Sequence, residues 1–437
     1  MRTIEERLQE HKQNRSVIQA PSELENRLRH ALEQVPAKTK HKPRAMVWGA
    51  AMAAAFLLIV GTYQYPAFAY LGGKLLSKIE LSSLSFSEVA DQGYGQTVNK
   101  SKTLDDGTVI MIEGVIADDN ALLMYYTIDA PGGSVLKNEY DLRFNVGDLH
   151  SFLKNSRMKE GYGNHSPDAT HFEGVYKFEP VSPFARKLTV TFSEWISDKE
   201  RASYPISFNY EANKAMNSII KEKLTASVAV DRGKVVYDSI TASPTSTVIK
   251  GHYEMSNGEY PRFMGNTRLY VNGTELKAWG GESNISGDTK GFILEYDVLP
   301  TDKVESMSLV LDNFDGYQKV DQPISLASPS DRSILIGNEK LWIRSVTKTT
   351  SGYDIVIARK QFTILDNDTI AVQAGGTVVP AASISQARPW DLKNGNIMWE
   401  QTFSFKTDVK PESLLLGGYH YIKTYNQTLT IPIQSSK

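Results

Sequence analysis

The residues of this chain best equipped for chemistry lie at His165-Ser-Pro-Asp168-Ala-Thr-His171, where two imidazoles and a carboxylate fall close together. Imidazole nitrogen and carboxylate oxygen are metal donors, and such a triplet can hold an ion when a strand or helix fixes its geometry. Here a proline interrupts the run among turn-forming residues, so the expectation is a solvated polar turn and no metal site. The pairs Asp105/Asp106 and Asp118/Asp119 have the makings of a general acid and base. Each stands in a turn context, where aspartate is favoured because its side chain bonds its own backbone. No cysteine is present, which removes disulfides, thiolate metal sites, Fe–S clusters and thiol nucleophiles together. No G-x-S-x-G elbow, H-E-x-x-H, phosphate-binding glycine loop or G-x-G-x-x-G fingerprint occurs. The chain therefore reads as a non-enzyme with no catalytic residue, cofactor or metal. Trp279, Trp390 and Trp399 stand near turns, where a ring can stack on sugar or peptide, but core packing is the expectation for each.

What must position these residues follows from length and charge. The 437 residues suggest two to four domains, and a hydrophobic fraction of 41% supports packed cores. Lys and Arg number 48 against 50 Asp and Glu, a net charge of −2, which disfavours direct nucleic-acid binding by the chain as a whole. The charge is uneven: residues 1–44 hold ten basic and six acidic side chains, and the remainder is acidic on balance.

Between the two parts, Ala45 to Gly73 carries no charge at all, and its apolar portion, Ala45 to Tyr63, is 19 residues long. At about 1.5 Å per residue a helix of that length matches the hydrocarbon thickness of a bilayer. Lys38, Lys40, Lys42 and Arg44 crowd its N-terminal side, which places the N-terminus in the cytoplasm and the rest outside. Trp48 near the inner boundary and Tyr63 and Tyr65 at the outer one supply aromatic belts. Just beyond, Pro66-Ala67-Phe68-Ala69 puts small residues at the two positions a signal peptidase reads, so cleavage there is compatible with the sequence.

On the inner side, Ser22 and Glu25 form a capping box after Pro21. Leu24, Leu28, Ala31, Leu32 and Val35 follow on one helical face, and Pro36 ends the pattern. So short a helix is marginal alone and needs a surface. That surface is either a groove on a cytosolic protein, with these five residues as contacts, or the anionic inner leaflet of the bilayer.

Beyond Gly73, short β-branched and aromatic runs alternate with Gly, Asn, Asp, Ser and Pro turns, an all-β pattern. The windows Ile110-Met-Ile-Glu-Gly-Val115, Val235-Val-Tyr-Asp-Ser-Ile240 and Leu341-Trp-Ile-Arg-Ser-Val346 share one pattern: three apolar residues, a charge, a small residue and a β-branched one. Their spacing is that of immunoglobulin-like sandwiches. The expected architecture is mainly β. It comprises a cytoplasmic helical segment (1–44), a transmembrane helix with its outer interface (45–69) and two or three extracytoplasmic immunoglobulin-like β-sandwich domains. These divide as 70–212, a helical linker at 213–223, then 224–328 and 329–437. Asp148 to Gly174 reads as a loop inserted into the first.

The order of Pro21-Ser-Glu-Leu-Glu-Asn-Arg-Leu28, a basic flank, one spanning helix and Tyr65-Pro-Ala-Phe-Ala69 before an outer β domain resembles a known family. These are single-pass membrane proteins of Gram-positive bacteria, built on domains of unknown function, that pair with extracytoplasmic-function sigma factors and are regarded as anti-sigma factors. The resemblance implies that residues 1–44 bind a sigma factor, foremost through Leu24, Leu28 and Leu32, and that the outer domains sense envelope conditions. It departs from many anti-sigma domains in lacking cysteine, hence their zinc site, and in an inner segment long enough to cover only part of a sigma factor. The rival expectation is a membrane-anchored surface protein whose sandwiches bind cell-wall polymer, peptide or another envelope protein, with the inner tail as a mere anchor.

Overall fold

The computed structural model describes residues 94–433 together with Phe86 and Ala90, save for 138–140, 198, 257, 287–288, 302, 330–331 and 392–396. All of these fall in one unit, Val60–Lys437. The inner segment and the expected span lie outside the described residues. Among those described, no helix is long and apolar enough to cross a membrane.

The described chain is mainly β. Its first nine strands are β1 (Gln96–Thr103), β2 (Val109–Ala117), β3 (Leu122–Asp129), β4 (Asn145–Val146), β5 (His150–Ser151), β6 (Met158–His165), β7 (His171–Phe178), β8 (Lys187–Ser197) and β9 (Glu200–Asn209). Then come β10 (Ile220–Val230), β11 (Gly233–Ala242), β12 (Thr247–Met255), β13 (Asn266–Val271), β14 (Thr274–Leu276), β15 (Ala278–Ser286), β16 (Thr289–Tyr296) and β17 (Met307–Val320). The last twelve are β18 (Ile324–Ser325), β19 (Ile334–Ile336), β20 (Glu339–Thr349), β21 (Gly352–Arg359), β22 (Ile364–Leu365), β23 (Ala371–Ala374), β24 (Thr377–Pro380), β25 (Ser383–Ile384), β26 (Arg388–Asp391), β27 (Ile397–Phe405), β28 (Ser413–Leu415) and β29 (Gly417–Thr430).

Period-two alternation sends every second side chain of a strand to one face, and facing sheets bury those faces against each other. The sheet β1-β2-β3-β7-β6 contributes Ile110, Ile112, Met124 and Ile128 to a core completed by Leu188, Val190 and Phe192 of β8, which pairs with β4, β5 and β9. A second core lies between β10-β11-β12-β16-β15 and β14-β13-β17-β29-β22, around Tyr237, Ile249, Leu309 and Phe314. A third holds Ile343, Ile355, Phe403 and Leu414 between β19-β20-β21-β27-β25 and β18-β28-β23-β24.

The three repeat windows occupy the equivalent strand of three sheets, β2, β11 and β20. In each, the pairing with the next strand slips at the charged residue: between Ile112 and Gly114, between Tyr237 and Ser239, and between Ile343 and Ser345. The charge is thus the extra residue of a β-bulge, which explains why a strand of otherwise regular alternation carries it at that point.

The cores do not follow the sequential boundary expected at 328/329. β17 and β29 form a long ladder from Ser308↔Thr430 to Val320↔Gly417. At one end Ile431, from the last expected domain, closes the second core. At the other, Tyr419 lies in the third core, which also takes Ile324 and Leu326. Two further expectations are corrected. The 213–223 stretch is no helical linker: a 3₁₀ turn, Ala212–Lys214, is followed by β10, whose first residues alternate in burial with period two. Asp148 to Gly174 is no inserted loop, since it contains β5, β6 and the start of β7. β6 escaped notice because its Gly161 and Gly163 carry no apolar pattern. Rings stand in for their side chains, a Cβ at either position coming within 2.6 Å of Tyr176 or 2.3 Å of Phe172.

Candidate functional site

Burial is continuous over Gly114 to Ala117 and over Leu122 to Ile128, so here both faces of the first sheet are covered. The inner face meets the first core; the outer one carries a separate cluster of Phe86, Tyr94, Ile116, Leu123, Tyr125, Val175 and Met216. Phe86 and Ala90 have helical backbone and stand four apart, a spacing that puts both on one side, and Ala90 packs against the cluster. Phe86 is only 4% exposed, and its ring centroid lies 5.6 Å from that of Tyr125. The seat is made by glycine: a Cβ on Gly114 would come within 2.0 Å of the Phe86 ring. A Cβ on Gly95, whose φ is +79, would meet Val115 O at 2.7 Å and the same ring at 3.3 Å.

The first bulge residue, Glu113, lies near the Phe86 backbone. Burial pushes its carboxyl above the usual range, Glu173 adds to the rise, and His171 and the Phe86 N–H pull against it. The Tyr125 hydroxyl is buried and has no hydrogen-bond partner among the described residues. The other two bulges give their charges different company. Asp238 accepts from His252 Nδ1 at 2.8 Å, and the Arg344 guanidinium stacks 3.6 Å from the Trp390 ring centroid.

The three cores are joined by polar contacts. At the first joint, Asp118 Oδ1 accepts the N–H of Asn120 and of Ala121 within its own turn, and also Thr245 Oγ1 at 2.9 Å across the joint, while Oδ2 accepts the Thr245 N–H at 2.8 Å. Burial pushes its carboxyl up in spite of those bonds. Asn120 Nδ2 donates to Thr241 O and Ser246 O. Beside them the buried Lys177 ammonium sits 2.9 Å from Glu160 and 2.7 Å from Glu295, with Lys159 3.3 Å from Glu295. Burial opposes the Lys177 charge, yet the two glutamates outweigh it and hold it above the ordinary lysine range. Glu295 is likewise desolvated, but Lys177 and Lys159 hold it below the carboxylate range.

At the second joint, His420 and Asp315 are buried together, Nδ1 lying 3.0 Å from both carboxylate oxygens, and Arg262 N–H donates to Asp315 Oδ2. The Tyr317 ring meets His420 edge-on and carries the Arg232 guanidinium 4.3 Å from its centroid. Its hydroxyl donates to Asp366 at 3.2 Å.

The sequence candidates fare unevenly. Leu24, Leu28, Ala31, Leu32, Val35, Lys38, Lys40, Lys42, Arg44, Trp48, Tyr63, Tyr65, Ala67 and Ala69 all lie outside the described residues. His165 to His171 forms the β6–β7 turn. Asp168 accepts from the Ser166 and Thr170 hydroxyls and the Thr170 N–H, while His171 turns away to Asp129 at 2.6 Å. Asp106 accepts the Thr108 N–H in the β1–β2 turn, as Asp118 does in its own. Trp390 and Trp399 are half-buried on β26 and β27. Trp279 departs from the expected core packing: it is 57% exposed on β15, its indole N–H donating to Asp297 and Lys277 lying 4.5 Å over its ring. Phe86, Lys177 and His420 were missed. For Lys177 a signal existed, a lone charge in the apolar run Val175 to Phe178; His420 likewise stands in an aromatic run, Tyr419 to Tyr421.

Residues 40–130 match the family described as a domain of unknown function, DUF4179. No curated protein matches. Two solved structures are similar. One is a conserved domain protein from Bacillus anthracis, 14% identical, over 61% of this chain and 89% of that one, with a TM-score of 0.39. The other is a marsupial T cell receptor, 7% identical, over 75% of this chain and all of that one, with a TM-score of 0.15. Likenesses this slight bear on neither fold nor role.

Proposed function

We propose that the chain is a single-pass membrane regulator of anti-sigma type, with its N-terminus in the cytoplasm and immunoglobulin-like β-sandwiches outside. Residues 1–44 bind a sigma factor through Leu24, Leu28, Ala31, Leu32 and Val35, covering apolar surface that RNA polymerase needs. An outer signal, or cleavage near Ala67 and Ala69, frees the factor. The observation that carries the reading is one of order: a capped amphipathic helix, four cations, a charge-free span and then β structure. The DUF4179 match begins just ahead of the span and ends with β3, so it supports treating span and first sheet as parts of one device. The test is affinity capture of the tagged full chain from cells, with mass spectrometry of what is retained. A sigma factor is expected, lost when Leu24→Asp and Leu28→Asp are combined; an intact preparation that retains none overturns the reading.

A second reading, an envelope-binding surface protein, draws support from Phe152 and Phe184. Phe152 is 96% exposed with Leu153 beside it 55% exposed on the loop after β5, and Phe184 is 74% exposed on the loop after β7; single exposed rings are ordinary, and the reading needs them to form one apolar patch.

A further inference from the structure

We infer that two loops beside the first core, 152–155 and 181–187, form one apolar and basic patch that docks on the surface of an anionic lipid bilayer. The nearby bilayer rests on the membrane reading above; the patch does not.

The two loops are pinned to each other at both ends. At one end β5 pairs with β8, Ser151 standing opposite Leu188. At the other, Ser156 Oγ donates to Pro180 O at 3.2 Å and the Glu179 N–H donates to Arg157 O at 2.9 Å. Leu149 and Ser156 exchange both backbone hydrogen bonds at 2.9 Å, which closes the first loop, and the Ala185 N–H donates to Ser182 O, which turns the second. Side chains that leave these loops therefore share one stretch of surface. Phe152, Leu153 and Phe184 are all exposed on it, so they form a group and not three scattered residues.

Charge identifies the occupant. Leu149 to Arg157 and Pro180 to Leu188 together hold four Lys or Arg and no Asp or Glu, in a part of the chain that is acidic on balance. Glu179 approaches Lys154 at 3.8 Å and Arg157 at 3.3 Å, and Glu282 approaches Arg157 at 2.8 Å. Arg186 and Lys187 are exposed and form no ion pair among the described residues. Arg186 Nη1 donates instead to Pro183 O and Ala185 O, which keeps the guanidinium at the Phe184 turn. Rings flanked by cations suit the headgroup region, where the ring enters the acyl boundary while the cation stays among the phosphates. A soluble polyanion would engage the cations and leave the rings in water. The β8–β9 tip gives the contrast: Glu194 to Arg201 also exposes Trp195 and Ile196, but its acids outnumber its cations three to two, so an anionic surface does not draw it in.

The chain has no cysteine, so Asn155→Cys accepts a single polarity-sensitive fluorophore inside the patch, and Lys199→Cys accepts one on the β8–β9 tip, about 30 Å away along β8. The labelled full chain is reconstituted with vesicles of phosphatidylcholine, or of phosphatidylcholine with one third phosphatidylglycerol, and floated. Emission and quenching by aqueous iodide are then read. With phosphatidylglycerol the Asn155→Cys label is expected to shift to the blue and lose access to iodide, and the Lys199→Cys label to do neither. Arg186→Gln combined with Lys187→Gln should lower the docked population about twentyfold, roughly fivefold for each cation removed from an anionic surface. Phe152→Ser combined with Phe184→Ser, which removes no core side chain, should abolish the blue shift in a chain that melts as the parent does. An Asn155→Cys label equally accessible in both vesicles overturns the inference. So does a shift that soluble polyphosphate reproduces without lipid, since the occupant would then be a polyanion. A chain that floats with neither vesicle overturns the contact and the span together, whereas one that floats with both and leaves the label unchanged overturns the contact alone. No sigma factor enters this assay, so failure of the capture experiment leaves the contact standing.

Discussion

The bulge charges are the residues whose types were plain and whose partners were not. Asp238 illustrates this: its repeat position is readable, but His252 comes to it only because β12 pairs beside β11 in that register. The hydrogen bond to Asp238, and after it the contact with Glu254, raises the His252 pKa above its ordinary 6.5. A base raised in the folded state stabilises fully below its unfolded value and loses that contribution as pH climbs through the raised one. The pair is largely exposed, so the effect is small, at most about 0.5 kcal/mol. His252→Gln is therefore expected to flatten the fall in urea midpoint as pH rises through and above about 6.5. An unaltered slope would assign that pH dependence elsewhere.

Strands and turns were legible to different degrees. β2, β3, β8 and β12 were visible as apolar runs, because burial of alternate side chains leaves that trace. β6 was not, because neighbouring rings replace its side chains, nor was β10, whose Ile220-Lys-Glu-Lys start has helix-forming composition and takes its conformation from pairing with β11. The return of β29 to the second core was also invisible, since nothing in Tyr419 to Ile433 says which of two cores each residue joins. Its consequence is testable. Ile431→Ala leaves a cavity in the second core, and a loss of about 2–5 kcal/mol is expected. Hydrogen exchange should rise at Leu309 and Leu311 with Ile355 and Phe403 unaffected. A rise confined to the third core would contradict the ladder's assignment.

Across the whole described unit, buried polar joints link the cores, and such groups are tolerated only when their partners are in place. Lys177→Ala leaves Glu160 and Glu295 without their shared cation, and loss of a partner from a buried pair costs about 3–5 kcal/mol. Calorimetry is expected to show the melting of the first core better resolved from that of the second in the variant than in the parent chain; identical profiles would mean that the joint does not couple them. The held-down Glu295 adds a pH signature: its contribution is present above its ordinary value of 4.5 and is lost as pH falls through the lower folded value. By itself the sequence determined the β class, the strands with period-two burial, the repeat and the aspartates' turn role, because each depends on neighbours along the chain. Only the tertiary structure decided the Phe86 seat, the Lys177 and His420 pairs, the exposure of Trp279 and the path of β29. Each depends on which distant strands come to lie side by side, and side-chain types at one position do not encode that pairing.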